Sequence, residues 1–281
     1  MKNILHLVSI IGLSLIFSCK EELPIKNSEV ALIDSTFVTS SLSNPQTKNI
    51  LIEEYTGVRC INCPDGHKKV DEIIAKYGNR IIPVGVHFGP LAEPINSIDP
   101  DFRISNATEL GNTFGMSTLP AAVIDRTKDA TGISYGYNRL KWLEVVDNEV
   151  LKTSLVNVTP TSTYSSGKYI ITTNVEFTQA FSSATSVTLY IIENDIIATQ
   201  KDGNIEIEDY EHKYVLRKVV TNTLGTSLVK PSSGYEKGRS FVKQYGITAD
   251  SKWNVNNCYV VAFVTNDATN EVLQVSQVKL K

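Results

Sequence analysis

The sequence predicts an α/β layer followed by an all-β sandwich, with a leading segment that belongs to neither. Three observations carry this. Over residues 47–155, short apolar runs alternate with stretches of helical spacing. Over 156–281 the apolar residues recur every second position and turn residues punctuate them. Residues 1–18 hold one apolar run that stops just before a cysteine.

Composition bounds the rest. The chain has 281 residues, 42% hydrophobic and 20% charged, enough for about two folded units with ordinary cores. Its net charge of −3 supplies no basic excess to hold nucleic acid. Four cysteines are too few for a disulfide-built scaffold.

Lys2 followed by "ILHLVSIIGLSLIF" reads as a secretory signal over residues 1–18, too short for a membrane helix. The ending "IFSC" resembles a bacterial lipobox. That resemblance implies lipidation of Cys19 and a membrane partner through the lipid. The following "KEE" resembles a surface-export signal, the plainer alternative being a charged start to a tether. Residues 19–46 are rich in Ser, Thr, Asn and Pro without sustained periodicity, so a flexible tether is expected there.

In the first folded region, "NILIEEY" is a buried strand by pattern. Val70, Ile73, Ile74 and Tyr77 recur at helical spacing after Pro64, and Gly78 is suited to end that helix. "RIIPVGVHF" is a second strand. Ala107, Leu110 and Phe114 mark a helix closed by Gly115. "LPAAVID" is a third strand, and Leu140, Leu143, Val146 and Val150 mark a last helix. In the second region Tyr169, Ile171, Thr173, Val175 and Phe177 alternate to one face. "VTLYIIEN", "CYVVAFV" and "EVLQVSQVKL" are further strands, and "IEDYEHKYVLRKVV" is a loop entering a strand. His212 and Arg217 are candidate surface contacts there, with ordinary solvated residues as the plainer reading. Trp142 and Trp253 are expected to pack, and Cys258 to be a buried free thiol.

The chemistry concentrates in "EEYTGVRCINCPDGH". Cys60 and Cys63 form a C-x-x-C at a strand-to-helix turn, the thioredoxin-like signature. A helix N-terminus stabilises a thiolate, and Arg59 adds a cation nearby. Cys60 is expected to be the more accessible, attacking thiol and Cys63 the resolving one. "GMSTLPAAVID" resembles the thioredoxin segment that carries a cis-proline opposite the cysteines, here Pro120. Glu54, six residues before Cys60, stands where many thioredoxin-like proteins hold a buried proton acceptor; a carboxylate at a strand end is the alternative. The interval Ile61-Asn62 departs from common thioredoxins, whose proline lies between the cysteines. Pro64 follows Cys63 instead and places Cys63 at the N-cap by the pre-proline restriction. Two other readings stand beside the redox couple: a permanent structural disulfide, and half a zinc site with His67 and a further ligand such as His87 or Cys258. His67 is otherwise a helix-surface residue and His87 a core or rim residue.

On "EEYTGVRCINCPDGH", "LPAAVIDR" and "YEHKYVLRKVV", the chain resembles the Bacteroidetes outer-membrane lipoproteins named for a 28-kDa outer membrane protein. The resemblance implies an α/β thioredoxin-like domain followed by an immunoglobulin-like sandwich, anchored in the outer membrane. No cofactor or metal is expected from the residues. The resemblance leaves two functions open: thiol–disulfide exchange on envelope or surface proteins, and a binding or adhesion module in which the cysteines are a staple.

Overall fold

A computed structural model describes residues 29–281; the signal segment, Cys19 and the "KEE" stretch lie outside the described residues. The first half supplies β1 (Ile33–Val38), β2 (Ile50–Thr56), α1 (Cys63–Tyr77), β3 (Ile81–His87), α2 (Ser105–Thr113), β4 (Ala121–Ile124), β5 (Gly136–Tyr137) and α3 (Trp142–Glu149). The second half is strands with one short 3-10 turn (Val255–Asn257): β6 (Val156–Ser165), β7 (Lys168–Phe177), β8 (Thr185–Glu193), β9 (Ile196–Asp202), β10 (Ile205–His212), β11 (Val215–Val219), β12 (Thr226–Leu228), β13 (Arg239–Ile247), β14 (Cys258–Asn266) and β15 (Val272–Lys279).

The expected sequence of strands and helices is present, but the two halves share one sheet. Its order is β15-β14-β8-β11-β3-β2-β4-β5, with β12 added on β8. The seam is the parallel contact of β11 with β3, where Val215 pairs Gly85 and the Gly85 N–H donates to the Tyr214 carbonyl at 2.8 Å. Residue 155 therefore divides the chain by composition, not by hydrogen bonding. A four-stranded sheet, β1-β13-β7-β6, faces the far end of the long sheet.

Burial explains why β8 reads as an unbroken apolar run. Its Val187, Leu189 and Ile191 pack with Ile171, Val175 and Phe177 of β7 between the two sheets. Its Tyr190 and Ile192 face the other way and join Leu51, Val84 and Phe114 from the first half. A strand buried on both faces has no polar period to display.

Two expectations are corrected. The tether foreseen over 19–46 contains β1, which pairs antiparallel with β13 from Ile33–Gln244 to Val38–Arg239. Its residues are exposed, so no apolar period marked it. Leu140 is exposed and precedes α3 rather than belonging to it. Trp142 is fully buried and donates its indole N–H to the Tyr137 carbonyl at 2.7 Å. Trp253 packs partly buried against the core between the sheets, and Cys258 is a buried free thiol.

Candidate functional site

Strand β2 aims two neighbouring glutamates at opposite faces, as the two-residue strand period requires. Glu54 shares its face with Ile50 and Ile52, which pack under α1 and α3. Its side chain meets the first turn of α1: a Cβ added to Gly66 would stand 2.5 Å from Glu54 Oε1 and 3.0 Å from Pro120 Cβ. Only glycine lets the helix approach both. The Leu119–Pro120 peptide is cis, and Pro120 is buried just before β4, whose Ala121 and Ala122 pair with Tyr55 and Glu54.

Cys60 and Cys63 are joined in a disulfide with Cα atoms 5.3 Å apart. The helix begins at Cys63 with Asn62 as its N-cap, so Cys63 is the first helical residue and not the cap. Pro64 takes the second position, where its missing N–H costs no hydrogen bond. Cys63 is fully buried and Cys60 is 4% exposed. The accessible Cys60 expected from sequence is thus largely covered.

The cover comes from the second half of the chain. Hairpin β9–β10 lies on the loop before α1: Lys201 N–H donates to the Val58 carbonyl at 2.8 Å, and Gly203 N–H to that of Ile61 at 3.0 Å. The buried Gln200 amide donates to the carbonyls of Gly57 and Cys60 at 3.3 and 3.2 Å. Arg59 does not serve as a free cation beside Cys60. Its guanidinium donates to the carbonyls of Glu93 and Pro94 at 2.9 and 2.5 Å.

Behind the disulfide loop lies a cavity of about 60 Å³, lined by Glu54, Thr56, His67, His87, Tyr210 and His212 among others. The three histidines of the described residues meet here. His67 is partly buried, not a free helix-surface residue; its Nε2 lies 3.0 Å from Thr56 Oγ1 and its Nδ1 2.6 Å from the Tyr210 hydroxyl. His87 is buried against Phe102, and His212 against both. His212 and Arg217, candidate surface contacts by sequence, are therefore interior: His212 is 3% exposed, and Arg217 pairs with Glu193 at 3.3 Å.

The electrostatics follow from burial. Glu54 Oε1 has no hydrogen-bond partner, and burial, with Asp71 adding repulsion, raises its carboxyl well above the usual range. Burial, then His212 and Lys213, pushes His67 down to about 3, and burial pushes His212 down to about 4. His67 Nε2 and Glu54 Oε1 are 3.9 Å apart, but with both groups held neutral they are not an ion pair. Such a set can exchange protons, because each member sits near its neutral form in a low-dielectric pocket. Among the described residues no group of three or more His, Cys, Asp and Glu side chains is placed to hold a metal ion. Sequence reasoning missed the parts of this site contributed by Gln200 and Tyr210, more than a hundred residues from the cysteines.

Comparison with known proteins fixes the family. No curated protein sequence matches the chain. Among solved structures, HBP35 of Porphyromonas gingivalis is similar with a TM-score of 0.65 at 17% identity, covering 85% of this chain and 77% of that one; this is a likeness of fold. A domain of the outer membrane lipoprotein Omp28 from Porphyromonas gingivalis is 21% identical over 46% of this chain and 89% of that domain, with a TM-score of 0.31. The family model for outer membrane protein Omp28 matches residues 107–281. That match spans well over half of the chain, which therefore belongs to the Omp28 family of outer membrane proteins and is assigned to the outer membrane.

Proposed function

We propose that this outer membrane protein carries out thiol–disulfide exchange on envelope or surface proteins. In this reading residues 47–155 are a thioredoxin-like domain and 156–281 an immunoglobulin-like sandwich, with the chain held to the membrane by lipid on Cys19. One observation carries it: the Cys60–Cys63 disulfide sits at the N-terminus of α1, where the Pro120 ring and the partnerless Glu54 carboxyl lie against the same helical turn. The helix terminus favours the thiolate released when the bond opens. Cys60 then attacks, Cys63 resolves, and Glu54 handles the proton of the resolving thiol.

The test is equilibration of the purified pair across glutathione buffers, with mass spectrometry of the two redox states. A reversible couple with a potential above roughly −300 mV is expected. Cys63→Ser should accumulate mixed disulfides through Cys60, and Cys60→Ser should not. A second reading is favoured by the low exposure of both cysteines and the hairpin over them: a binding or adhesion module with a structural disulfide. A pair that stays oxidised under strongly reducing poise, with no partner trapped by Cys63→Ser, would establish that reading instead.

A further inference from the structure

From the contacts around Glu54 we infer that His67 and Tyr210 form a proton relay between the Glu54 carboxyl and solvent, so that the second half of the chain supplies a working part of the exchange site. The inference rests on the thiol–disulfide reading and specifies how its proton is replaced.

The geometry is a short chain of polar atoms. Glu54 Oε1 lies 3.9 Å from His67 Nε2, about 1 Å beyond a hydrogen bond. Transfer along the relay requires the carboxyl to turn toward Nε2 about its last torsion, which is broad in glutamate. On the other side of the ring, Nδ1 lies 2.6 Å from the Tyr210 hydroxyl, and Tyr210 is half-buried at the rim of the cavity. We assign the ring proton to Nε2: Tyr210 O–H then donates to Nδ1, and Nε2–H points to Thr56 Oγ1 at 3.0 Å and on toward Glu54. His67 lies on α1 four residues beyond Cys63, and Tyr210 on β10, so the relay crosses between the halves. The cavity is also lined by Asp71, His87, Glu211, His212, Lys213 and Tyr214; both ring nitrogens of His87 and Nε2 of His212 are buried without partners, so neither ring competes for this chain of contacts.

The step balances as follows, with a dithiol protein as co-substrate. A substrate thiolate attacks Cys60 Sγ, forming the mixed disulfide and breaking the Cys60–Cys63 bond. Cys63 leaves as a thiolate and takes the proton of the Glu54 carboxylic acid. The new Glu54 carboxylate takes the proton from His67 Nε2, Nδ1 takes that of Tyr210, and Tyr210 takes one from water. The second substrate thiolate then attacks the substrate sulfur of the mixed disulfide, releasing Cys60. The substrate loses two electrons and the cysteine pair gains them. His67 ends with its proton on Nδ1, the form that runs the relay outward when the pair is reoxidised.

The experiment is the rate of reduction of the Cys60–Cys63 disulfide in the purified full chain by dithiothreitol, in H₂O and D₂O. Tyr210→Phe keeps the ring against His212 and removes only the hydroxyl. It should slow reduction about tenfold, less than the roughly hundredfold or more of a group in direct contact with the reacting proton, and enlarge the solvent isotope effect, while leaving the equilibrium with glutathione within twofold. In a Glu54→Gln chain, which has no acid to recharge, Tyr210→Phe should add no further slowing. Equal slowing in both backgrounds would assign the hydroxyl to packing and overturn the relay, as would a Tyr210→Phe chain that matches wild type. A long-range ¹H–¹⁵N spectrum of the wild-type chain should place the His67 proton on Nε2; a proton on Nδ1 in the oxidised chain would overturn the assigned direction. A wild-type pair that no thiol buffer reduces would overturn the exchange reading and the relay together, whereas an active pair indifferent to Tyr210 would overturn the relay alone.

Discussion

Glu53 and Glu54 are adjacent on β2 and both are buried, yet their surroundings differ in kind. Glu53 accepts two hydrogen bonds from Arg126, each 2.9 Å, and one from the Tyr190 hydroxyl at 3.0 Å. Arg126 also lies 4.9 Å from the ring centres of Phe114 and Phe263. Every charge on that face is matched, and the match joins β2 to β8 across the two halves. Glu54 points to the other face and meets a partnerless cavity of neutral histidines and a tyrosine. A matched carboxylate is spent on structure, because removing its partner costs the fold. An unmatched one holds a proton at little structural cost, and burial makes it a weak acid that yields the proton only to a strong base such as a thiolate. Chemical availability here is set by partners and not by residue type or depth.

The Glu53 side should break hardest. Asp125 and Arg126 both adopt left-handed backbone conformations, with φ of 45° and 52°. The turn they make lets Asp125 reach Lys48 at 2.5 Å while Arg126 reaches Glu53. Arg126→Met would leave a buried carboxylate with only Tyr190, and we expect a loss of about 3–5 kcal/mol in urea unfolding. Combining it with Glu53→Gln should recover a good part of that loss, since the stranded charge is gone. A single mutant as stable as wild type would show that the two faces do not differ as described.

A smaller effect is expected at the hairpin that covers the Glu54 side. Gln200 is fully buried and its amide holds the carbonyls of Gly57 and Cys60. Gln200→Leu removes these donors while the Gly57 and Cys60 carbonyls keep the N–H groups of Cys60 and Cys63 at 3.0 and 3.2 Å, so a cost of about 1–2 kcal/mol is expected, the net worth of the bonds lost. The loop carrying Cys60 should loosen with it, and dithiothreitol should reduce the disulfide several-fold faster. Unchanged reduction kinetics in a destabilised variant would mean that the hairpin does not govern access to the sulfurs.

The difference between the faces was partly legible in the sequence. β2, α1 and the Pro120 segment read correctly because their signals are local: an apolar run, a helical period closed by Gly78, a proline before a strand. Glu54 stood out by its spacing from Cys60. The hairpin was not legible. Ile205–His212 is mostly exposed along its length, with the fully buried His212 at its end, so the charged pattern suggested a loop. Its burial comes from contact with a loop about 140 residues earlier, which no local period records. His67 was misplaced for the same reason, since the surface of α1 that carries it is covered by Tyr210. β11 joins β3 through a single paired position and left no mark on either pattern.

The smallest effect tests the histidines that give the Glu54 side its character. His87 is 3% exposed, neither ring nitrogen has a partner, and burial holds it well below its ordinary value. His212, at about 4, and His67, at about 3, are depressed as well. An unfolded chain protonates its histidines near pH 6.5 while the folded chain leaves these three neutral. The unfolded state therefore binds more protons as pH falls from about 6.5 toward 4, and stability drops through that window by about 1.4 kcal/mol per pH unit for each histidine that stays neutral. Glu54 works in the opposite sense: its raised carboxyl is protonated in the folded chain while still ionised in the unfolded one, so it adds stability as pH falls toward its ordinary value. Asp125, pushed up to about 6 by burial, works in the same sense as Glu54, as do the raised carboxyls of Glu193 and Asp267, so the measured slope should be the histidine contribution less that of these carboxyls. His87→Phe keeps an aromatic ring against Phe102 and removes two partnerless nitrogens. Urea unfolding at pH 7 and pH 5 should show the variant losing less stability than wild type, by roughly one histidine's share, with little change at pH 7. An equal loss in the two chains would mean that His87 is protonated in the folded state, and the cavity would then carry charge where the neutral reading requires none.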